Sequence, residues 1–297
     1  MHEYCGRKWQ KNINQWIEEN KASFLPPVCN KLMHEQQLKV FFVGGPNQRK
    51  DFHLEEGEEL FYMKKGAMEL IIQEKGKFKT VTIQEGEIFL LPGKIPHSPQ
   101  RKEDTIGLVI ERERATHELD CLRYFVNNST EGLFEKWFYC DDLGVQLVPV
   151  IKEFFASEQC RTGRPIPGTI PENPPYKPDC NREVENPFDL NNWLALHRTE
   201  IHKEGKKKLF ANINYQSDIV VYGKGIDDFQ ATSYETWLWQ LEGESSVIAN
   251  DKEIILKTDD SLLVPSGEAF KLTRQMDTCL VMSVAMPTLK NKEEKLL

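Results

Sequence analysis

The chain has 297 residues, of which 39% are hydrophobic and 28% are charged, and its formal net charge at pH 7 is −8. This length favours two domains over one, and the 16 Phe, 8 Tyr and 6 Trp residues supply packed cores, which excludes a wholly disordered chain. The acidic charge is scattered and offers no basic face for phosphates, so nucleic acid is not an expected partner.

The sequence contains no run of about eighteen apolar residues and no secretory or transit pattern at its start, so we expect a soluble cytoplasmic protein that does not bind membranes. The seven cysteines form an odd set without a closely spaced pair. This pattern argues against a disulfide framework and against a structural zinc site, and it predicts reduced thiols.

The predicted elements begin with a helix over roughly residues 8–20, where apolar residues from Trp9 to Ile17 recur at helical spacing. From Leu38 onward apolar residues alternate instead, and glycine-containing turns separate short runs that are typical of strands. Such a succession with little helix indicates a β-sandwich or a small β-barrel. The predicted strands are 38–43, 59–63, 68–73, 78–83, 87–91 and 105–111.

A helix is predicted at about 144–159, and six prolines follow between residues 165 and 178. Because proline donates no ladder hydrogen bond and favours an extended course, we interpret this stretch as an interdomain linker. The predicted organisation is therefore an N-terminal catalytic domain at 1–162, a Pro-rich linker at 163–180 and a C-terminal domain at 181–297.

The second half opens with a predicted helix at about 189–202 and then repeats the first half. Residues 59–66 align with 236–243, and residues 86–92 align with 259–265. Three polar residues of the first copy change in the second: His53 becomes Gln230, Glu59 becomes Thr236 and His97 becomes Phe270. We therefore expect the second copy to be structural and to hold no ion, and we expect a solvated charged tail at 290–295.

Two segments of the first copy carry residues that suggest chemistry. One contributes His53, Glu55 and Glu59, and the other contributes His97. Two imidazoles and one carboxylate on one face of a divalent ion, with the opposite face open, form the donor set that suits non-haem Fe(II) oxygenases. The spacing predicts such a site and leaves open whether Glu55 or Glu59 supplies the carboxylate.

An arginine accompanies each histidine. Side chains alternate between faces in an extended chain, so Arg49, Asp51 and His53 share one face if their stretch is extended, and His97 and Arg101 likewise share a face. Guanidinium groups keep their charge and form planar forks that suit carboxylates. We expect both arginines to orient an anionic substrate or an oxygen-derived anion rather than to coordinate a metal.

Glu111 ends the predicted strand 105–111, in which isoleucine and leucine alternate with other side chains. If the isoleucine face packs outward, Glu111 points into the barrel and accepts a hydrogen bond from a substrate amine or hydroxyl. The alternation alone leaves open which face is inside, and a solvated Glu111 is the other interpretation.

These residues resemble the two cupin motifs. The first motif is matched by His53, Glu59 and Gly66, with Glu55 in place of its second histidine. The second motif is matched in the same order along the chain, by Gly86, Pro92 and His97, with Lys94 and Arg101 in place of a glycine and an asparagine. The resemblance implies a mainly β protein with two cupin (jelly-roll type) barrels and a few flanking helices. The cupin fold hosts many activities and by itself implies no particular reaction.

Longer segments resemble the 3-hydroxyanthranilate 3,4-dioxygenases of animals, and they cover nearly the whole chain in order: residues 44–53, 55–59, 89–92, 96–101, 134–140 and 237–243. This resemblance implies a bicupin whose second barrel has lost its site. It also implies roles for individual residues: Fe(II) on His53, Glu59 and His97, dioxygen near Arg49, and the substrate's polar groups on Arg101 and Glu111, with Glu59 also touching the substrate.

The implied reaction opens the ring of 3-hydroxyanthranilate with O2 and gives 2-amino-3-carboxymuconate semialdehyde. That product closes to quinolinate, a precursor of NAD, in tryptophan catabolism by the kynurenine pathway. One Fe(II) per chain, in the N-terminal cupin only, is implied, and no organic cofactor.

Two other functions stay open at the level of the sequence. A metallocupin of another class, such as an isomerase or a different dioxygenase, would lack two arginines facing the metal. A non-catalytic cupin that binds a small molecule would give no reason for intact donors in one copy and lost donors in the other. Two barrels in one chain can bury the surface that single-barrel relatives would bury by dimerising, so we expect a monomer.

Overall fold

The computed structural model describes residues 9–26, 29–127, 129–179, 181–211 and 214–287. Strands predominate and helices are few, which confirms the predicted fold class. Within these residues, no helix has both the length and the apolar character that a membrane crossing requires. The predicted tail at 290–295 lies outside the described residues.

All six predicted strands are present, and the sequence reading missed several others. The strands up to residue 138 are β1 (Gln10–Asn12), β2 (Asn30–Glu35), β3 (Leu38–Gly44), β4 (Phe52–Leu54), β5 (Glu59–Lys65), β6 (Met68–Glu74), β7 (Lys77–Ile83), β8 (Glu87–Leu91), β9 (His97–Arg101), β10 (Ile106–Arg112), β11 (Asp120–Phe125) and β12 (Gly132–Phe138). The later strands are β13 (Phe188–Asp189), β14 (Lys206–Lys208), β15 (Asp218–Tyr222), β16 (Gly225–Phe229), β17 (Thr236–Glu242), β18 (Glu244–Ala249), β19 (Lys252–Lys257), β20 (Asp260–Val264), β21 (Phe270–Arg274) and β22 (Leu280–Ala285).

The α-helices of the described residues are α1 (Ile13–Glu19), α2 (Leu143–Ala156), α3 (Glu158–Thr162) and α4 (Leu190–Glu204), and a 3-10 turn spans Lys21–Phe24. The first predicted helix is wrong over its first turn, because residues 10–12 form a strand. The backbone of Asn12 is extended, and its side chain accepts a hydrogen bond from the Gln15 amide and caps α1. The helices predicted at about 144–159 and 189–202 are confirmed as α2 and α4.

The chain divides into two compact units, and neither unit is one continuous stretch. The first unit comprises Ser23–Lys31 and Phe41–Asp189, and the second comprises the described residues of Met1–Ala22, Leu32–Val40 and Leu190–Leu297. The predicted boundaries differ in two ways: the start of the chain groups with the second unit, and the Pro-rich stretch groups with the first.

The Pro-rich stretch lies against the first unit and does not behave as a free linker. The Asp179 amide donates to the Lys94 carbonyl over 2.8 Å, and the Tyr176 ring meets the Trp137 ring edge-on at 4.9 Å between centroids. Val184 is 2% exposed and belongs to the core of the first unit, and β13 pairs with β8. The stretch turns and bends instead of running extended, as the hydrogen bond from the Thr169 amide to the Ile166 carbonyl shows, and the contacts above hold it on the barrel.

The first unit contains two sheets, in which its strands lie in the orders β13-β8-β5-β10-β3 and β12-β11-β4-β9-β6-β7; of β3, the residues from Phe41 onward belong to this unit. Side chains from both sheets share one core, which includes Phe61 and Phe89 of the first sheet and Leu70 and Ile72 of the second. The second unit repeats this order as β20-β17-β22-β15 and β16-β21-β18-β19, which confirms the predicted internal repeat.

The described cysteines are free thiols, as predicted: Cys29, Cys121, Cys140, Cys160 and Cys279. The other two, Cys5 and Cys180, lie outside the described residues.

Candidate metal centre

Three strands of the first unit bring the predicted donors together. Strands β4 and β9 pair so that His53 lies directly opposite His97, with 5.3 Å between their ring centroids. Glu59 is the first residue of β5, in the other sheet. One candidate ligand atom from each of these three buried residues lies within 4.8 Å of the other two.

The ring of His97 presents a free lone pair to this site. Its Nδ1 donates to the Ile95 carbonyl over 3.0 Å, so Nε2 carries the lone pair when the ring is neutral. That Nε2 lies 2.8 Å from Oε1 of Glu59, yet Oε1 has no aligned hydrogen-bond donor among the described residues. Two electron-pair donors that converge in a buried position fit a cation between them.

A hydrogen bond to Asp120 orients the ring of His53. Its Nε2 lies 2.7 Å from Oδ2 of Asp120, an ionised carboxylate that can only accept, so Nδ1 keeps the lone pair of a neutral ring. A carboxylate in this position is the usual partner of a metal-ligating imidazole. The predicted donors therefore come with an orienting residue, Asp120, that the sequence reading did not identify.

The electrostatics of Glu59 suit a cation site. Burial would raise its pKa, but the His97 and His53 imidazoles lower the pKa to about 2. Burial would lower the pKa of His97, and the Glu59 carboxylate raises it. Glu59 is thus ionised beside two imidazoles, and a divalent ion bound there replaces protons as the compensating charge.

A second group of carboxylates adjoins the first. Ligand atoms of Glu55, Glu59 and Glu111 also lie within 4.8 Å of one another, and all three residues are buried. Burial raises the pKa values of Glu55 and Glu111, and Arg114 opposes both shifts. Glu111 is 1% exposed, so the solvated interpretation is wrong and its side chain points inward; its Oε2 has no hydrogen-bond partner among the described residues.

Arg101 is a buried cation on the strand that carries His97. It is 7% exposed, it follows His97 by four residues on β9, and its Nε donates to the Gly44 carbonyl over 2.8 Å. No carboxylate pairs with it in the part of the chain that the structure describes. Burial, and then the charge of Arg49, lower the pKa of Arg101 to about 10. Its guanidinium is therefore charged at neutral pH without an anionic partner.

Arg49 lies on a loop and not on a strand, because the extended segment begins only at Phe52. The extended course on which a shared face of Arg49, Asp51 and His53 depends is therefore absent. Arg49 instead donates from Nε to Oδ2 of Asp51 over 2.9 Å, and its amide donates to the Gln100 side chain over 3.0 Å. These contacts tie the loop to β9 and place Arg49 close enough to affect the pKa values of both His97 and Arg101.

The second unit has aromatic rings at the positions of the two histidines. Strands β16 and β21 place Phe229 opposite Phe270, with the rings stacked at 4.2 Å between centroids. The predicted equivalence of His53 with Gln230 is therefore wrong by one residue. The reason is a connection one residue longer, because His53 precedes Glu59 by six positions and Phe229 precedes Thr236 by seven.

The second unit also retains a counterpart of Arg101. Arg274 follows Phe270 by four residues, and its Nε donates to the Gly223 carbonyl, as Arg101 does to Gly44. Arg274 differs in one respect, because its guanidinium is paired with Asp227. In the first unit the corresponding acid, Asp51, pairs with Arg49. Among the described residues, the buried arginine of the first unit, Arg101, thus has no acidic partner, whereas Arg274 of the second unit does.

Lys94 occupies a backbone conformation that suits glycine, which is the residue of the cupin motif at this position. Its φ is +65°, and this region costs a non-glycine residue about 1 kcal/mol. Its ammonium group lies 2.9 Å from the Glu56 carboxylate and 5.1 Å from the centre of the Tyr176 ring. These contacts offset the backbone strain.

Substituting Lys94 separates these two effects. Lys94→Ala and Lys94→Gly both lose the side-chain contacts, and only glycine relieves the backbone, so the alanine variant should unfold about 2–4 °C lower. Calorimetry measures the difference. Lys77, which is exposed and lies in a strand, serves as the matched control, and there glycine should be the less stable variant. Equal melting temperatures at position 94 would contradict the strain.

A cupin with a buried donor set of two histidines and one carboxylate is the class of protein that this fold and site define. The family model for 3-hydroxyanthranilic acid dioxygenase matches residues 7–155. The 3-hydroxyanthranilate 3,4-dioxygenase of Bos taurus is 52% identical over 258 residues, which cover 87% of this chain and 90% of the relative. The chain belongs to the 3-hydroxyanthranilic acid dioxygenase family.

Two solved structures agree in fold. A cupin 2 conserved barrel domain protein from Leptotrichia buccalis has a TM-score of 0.51 and 12% identity, covering 94% of this chain and 96% of its own. A variant of the salicylate 1,2-dioxygenase from Pseudoaminobacter salicylatoxidans has a TM-score of 0.55 and 11% identity, covering 96% of this chain and 86% of its own. At these identities the likeness concerns the fold alone.

Proposed function

We propose that this chain is an Fe(II)-dependent dioxygenase that opens the ring of 3-hydroxyanthranilate with O2 and forms 2-amino-3-carboxymuconate semialdehyde, which leads to quinolinate and NAD. Family membership supports the reaction. The structural observation that carries the proposal is Arg101, a buried guanidinium on the strand of His97 that has no acid in the described chain. Such a charge is costly to bury alone, and the carboxylate of an aromatic acid supplies the missing partner.

His53, Glu59 and His97 would hold the Fe(II), one ion per chain and in the first unit only. Their convergent electron pairs and the unpaired Oε1 of Glu59 fit that ion. Bound there, Fe(II) supplies the redox chemistry that lets dioxygen react with the ring, so no organic cofactor is needed.

The remaining residues bind and orient the reactants. Arg101 holds the substrate carboxylate and so fixes the ring relative to the donor set, a positioning effect that accounts for several kcal/mol of a barrier. Glu111 points inward with a free oxygen and accepts a hydrogen bond from the substrate amine or hydroxyl, and Glu59 touches the substrate from the donor side. Arg49 stabilises negative charge that develops on dioxygen.

Arg49, which is close enough to affect the pKa of His97, and Arg101, four residues after His97 on β9, also argue against the metallocupin of another class, whose site would lack two arginines facing the metal. The proposal further includes a catalytic first unit, a structural second unit and a cytoplasmic monomer. Elution volume in gel filtration tests the oligomeric state.

One assay tests the function directly. The iron-free protein is loaded with Fe(II) without oxygen, mixed with 3-hydroxyanthranilate and exposed to air, and the ultraviolet absorbance of the opened product is followed. We expect one O2 consumed for each substrate, whereas anthranilate, which lacks the hydroxyl, is not opened. Iron-loaded protein that leaves 3-hydroxyanthranilate intact contradicts the proposal.

A further inference from the structure

One buried arginine, Arg114, binds three carboxylates at the back of the donor set. Its side chain is 3% exposed. Nη1 lies 2.7 Å from Oε1 of Glu111, Nη2 lies 2.9 Å from Oε2 of Glu55, and Nε donates to Oδ1 of Asp120 over 3.1 Å. The planar guanidinium thus contacts three carboxylates at once. The ammonium group of a lysine cannot reproduce this geometry.

Two of these acids lead directly to the proposed chemistry. Asp120 receives the hydrogen bond of His53 over 2.7 Å and is held by Arg114 at both oxygens, with 3.0 Å from Nη2 to Oδ2. Glu111 is fixed by Arg114 at Oε1, and its other oxygen stays unpaired. Arg114 is therefore linked through Asp120 to the metal donor His53, and it directly contacts Glu111, the residue proposed to bind the substrate.

We propose that Arg114 is the positioning residue of this site, whose guanidinium aims the free oxygen of Glu111 at the substrate and, through Asp120, sets the orientation and tautomer of the His53 ring. This inference rests on the proposed function. Outer partners of this kind typically contribute about 10- to 100-fold to metal affinity or activity.

A neighbouring arginine separates positioning from a merely structural role. Arg112 lies on the same segment, is buried, and forms a two-pronged ion pair with Glu118, with both N–O distances at 2.6 Å. Among the described residues, the Arg112 side chain makes no hydrogen bond to a donor or to Glu111. Arg112→Lys and Arg114→Lys both break a buried guanidinium–carboxylate contact, and only the second breaks contacts that lead to the donor set.

The experiment titrates iron-free protein with Co(II), whose visible spectrum reports on ligand geometry, and measures 3-hydroxyanthranilate binding to the Fe(II) protein without oxygen. Arg114→Lys should lower metal affinity about 10- to 100-fold, change the Co(II) spectrum and weaken substrate binding. Arg112→Lys should leave the metal affinity, the Co(II) spectrum and the substrate affinity at wild-type values. A folded Arg114→Lys with the wild-type spectrum and both wild-type affinities overturns the inference.

Asp120→Asn keeps the test decisive if Arg114→Lys does not fold. It removes the carboxylate that links Arg114 to His53 and leaves the Arg114–Glu111 contact in place, so it should weaken Co(II) binding and alter the spectrum while the Fe(II) protein at saturating metal still binds substrate normally. An unchanged spectrum in Asp120→Asn likewise overturns the inference. If the wild-type protein binds Co(II) in a site that involves His53 yet does not open 3-hydroxyanthranilate, the proposed function fails, and the metal readouts still decide the role of Arg114 toward His53.

Discussion

Replacing His97 with alanine is expected to abolish iron binding and turnover. The change removes one of three donors, and it also removes the imidazole that most strongly lowers the pKa of Glu59, so the remaining carboxylate loses charge compensation. His53→Ala should behave alike. We expect a larger loss than the roughly 10- to 100-fold cost of an outer partner. Metal analysis after desalting and the ring-opening assay measure the two effects.

The second unit offers matched controls for these variants. Gln230→Ala and Thr236→Ala alter residues at or next to the positions that correspond to His53 and Glu59. Both should keep wild-type iron content, because the proposed ion lies in the first unit only. Full activity in either histidine variant, or iron loss in either control, would contradict the assignment.

Replacing Arg101 with alanine should chiefly weaken substrate binding. Loss of one partner of a buried charge pair costs roughly 2–5 kcal/mol, which corresponds to about 30- to 5,000-fold in affinity. The iron content should stay at the wild-type level, since Arg101 is not a donor. The Michaelis constant and the dissociation constant without oxygen both report this change.

A truncated substrate makes the Arg101 prediction specific. 2-Aminophenol keeps the amine and the hydroxyl and lacks the carboxylate, so the wild-type protein should bind it weakly and Arg101→Ala should bind it about equally well. An unchanged Michaelis constant of Arg101→Ala for 3-hydroxyanthranilate would refute the proposed role, as would an equal loss with both compounds.

The fold was predictable where strands alternate cleanly and glycine turns separate them, as in β5 to β8. The strands that carry the histidines were not found, because β4 has three residues and β9 contains Pro99 among polar side chains. Even so, the donor set was predictable, since its residue types and the cupin resemblance did not depend on strand boundaries.

Other parts of the site needed coordinates. The choice of face for Glu111 depends on the pairing of β10 with β5, and a single alternating strand does not reveal its neighbours. Asp120 contacts His53 across 67 positions of sequence, and Arg114 lies outside every predicted strand. Spacing arguments cannot bring such residues together, although two arginines within three positions after Glu111 were a visible signal of buried carboxylate partners.

The distribution of the chain between its units limits how the protein can be dissected. The strand β1 pairs with β20, so the beginning of the polypeptide completes a sheet built by its last third, and Val184 fills the core of the first unit from beyond the prolines. A cut after residue 162 would leave the amino-terminal fragment without Val184 and β13 and the other fragment without β1. Truncated forms of this protein should therefore expose apolar surface and aggregate.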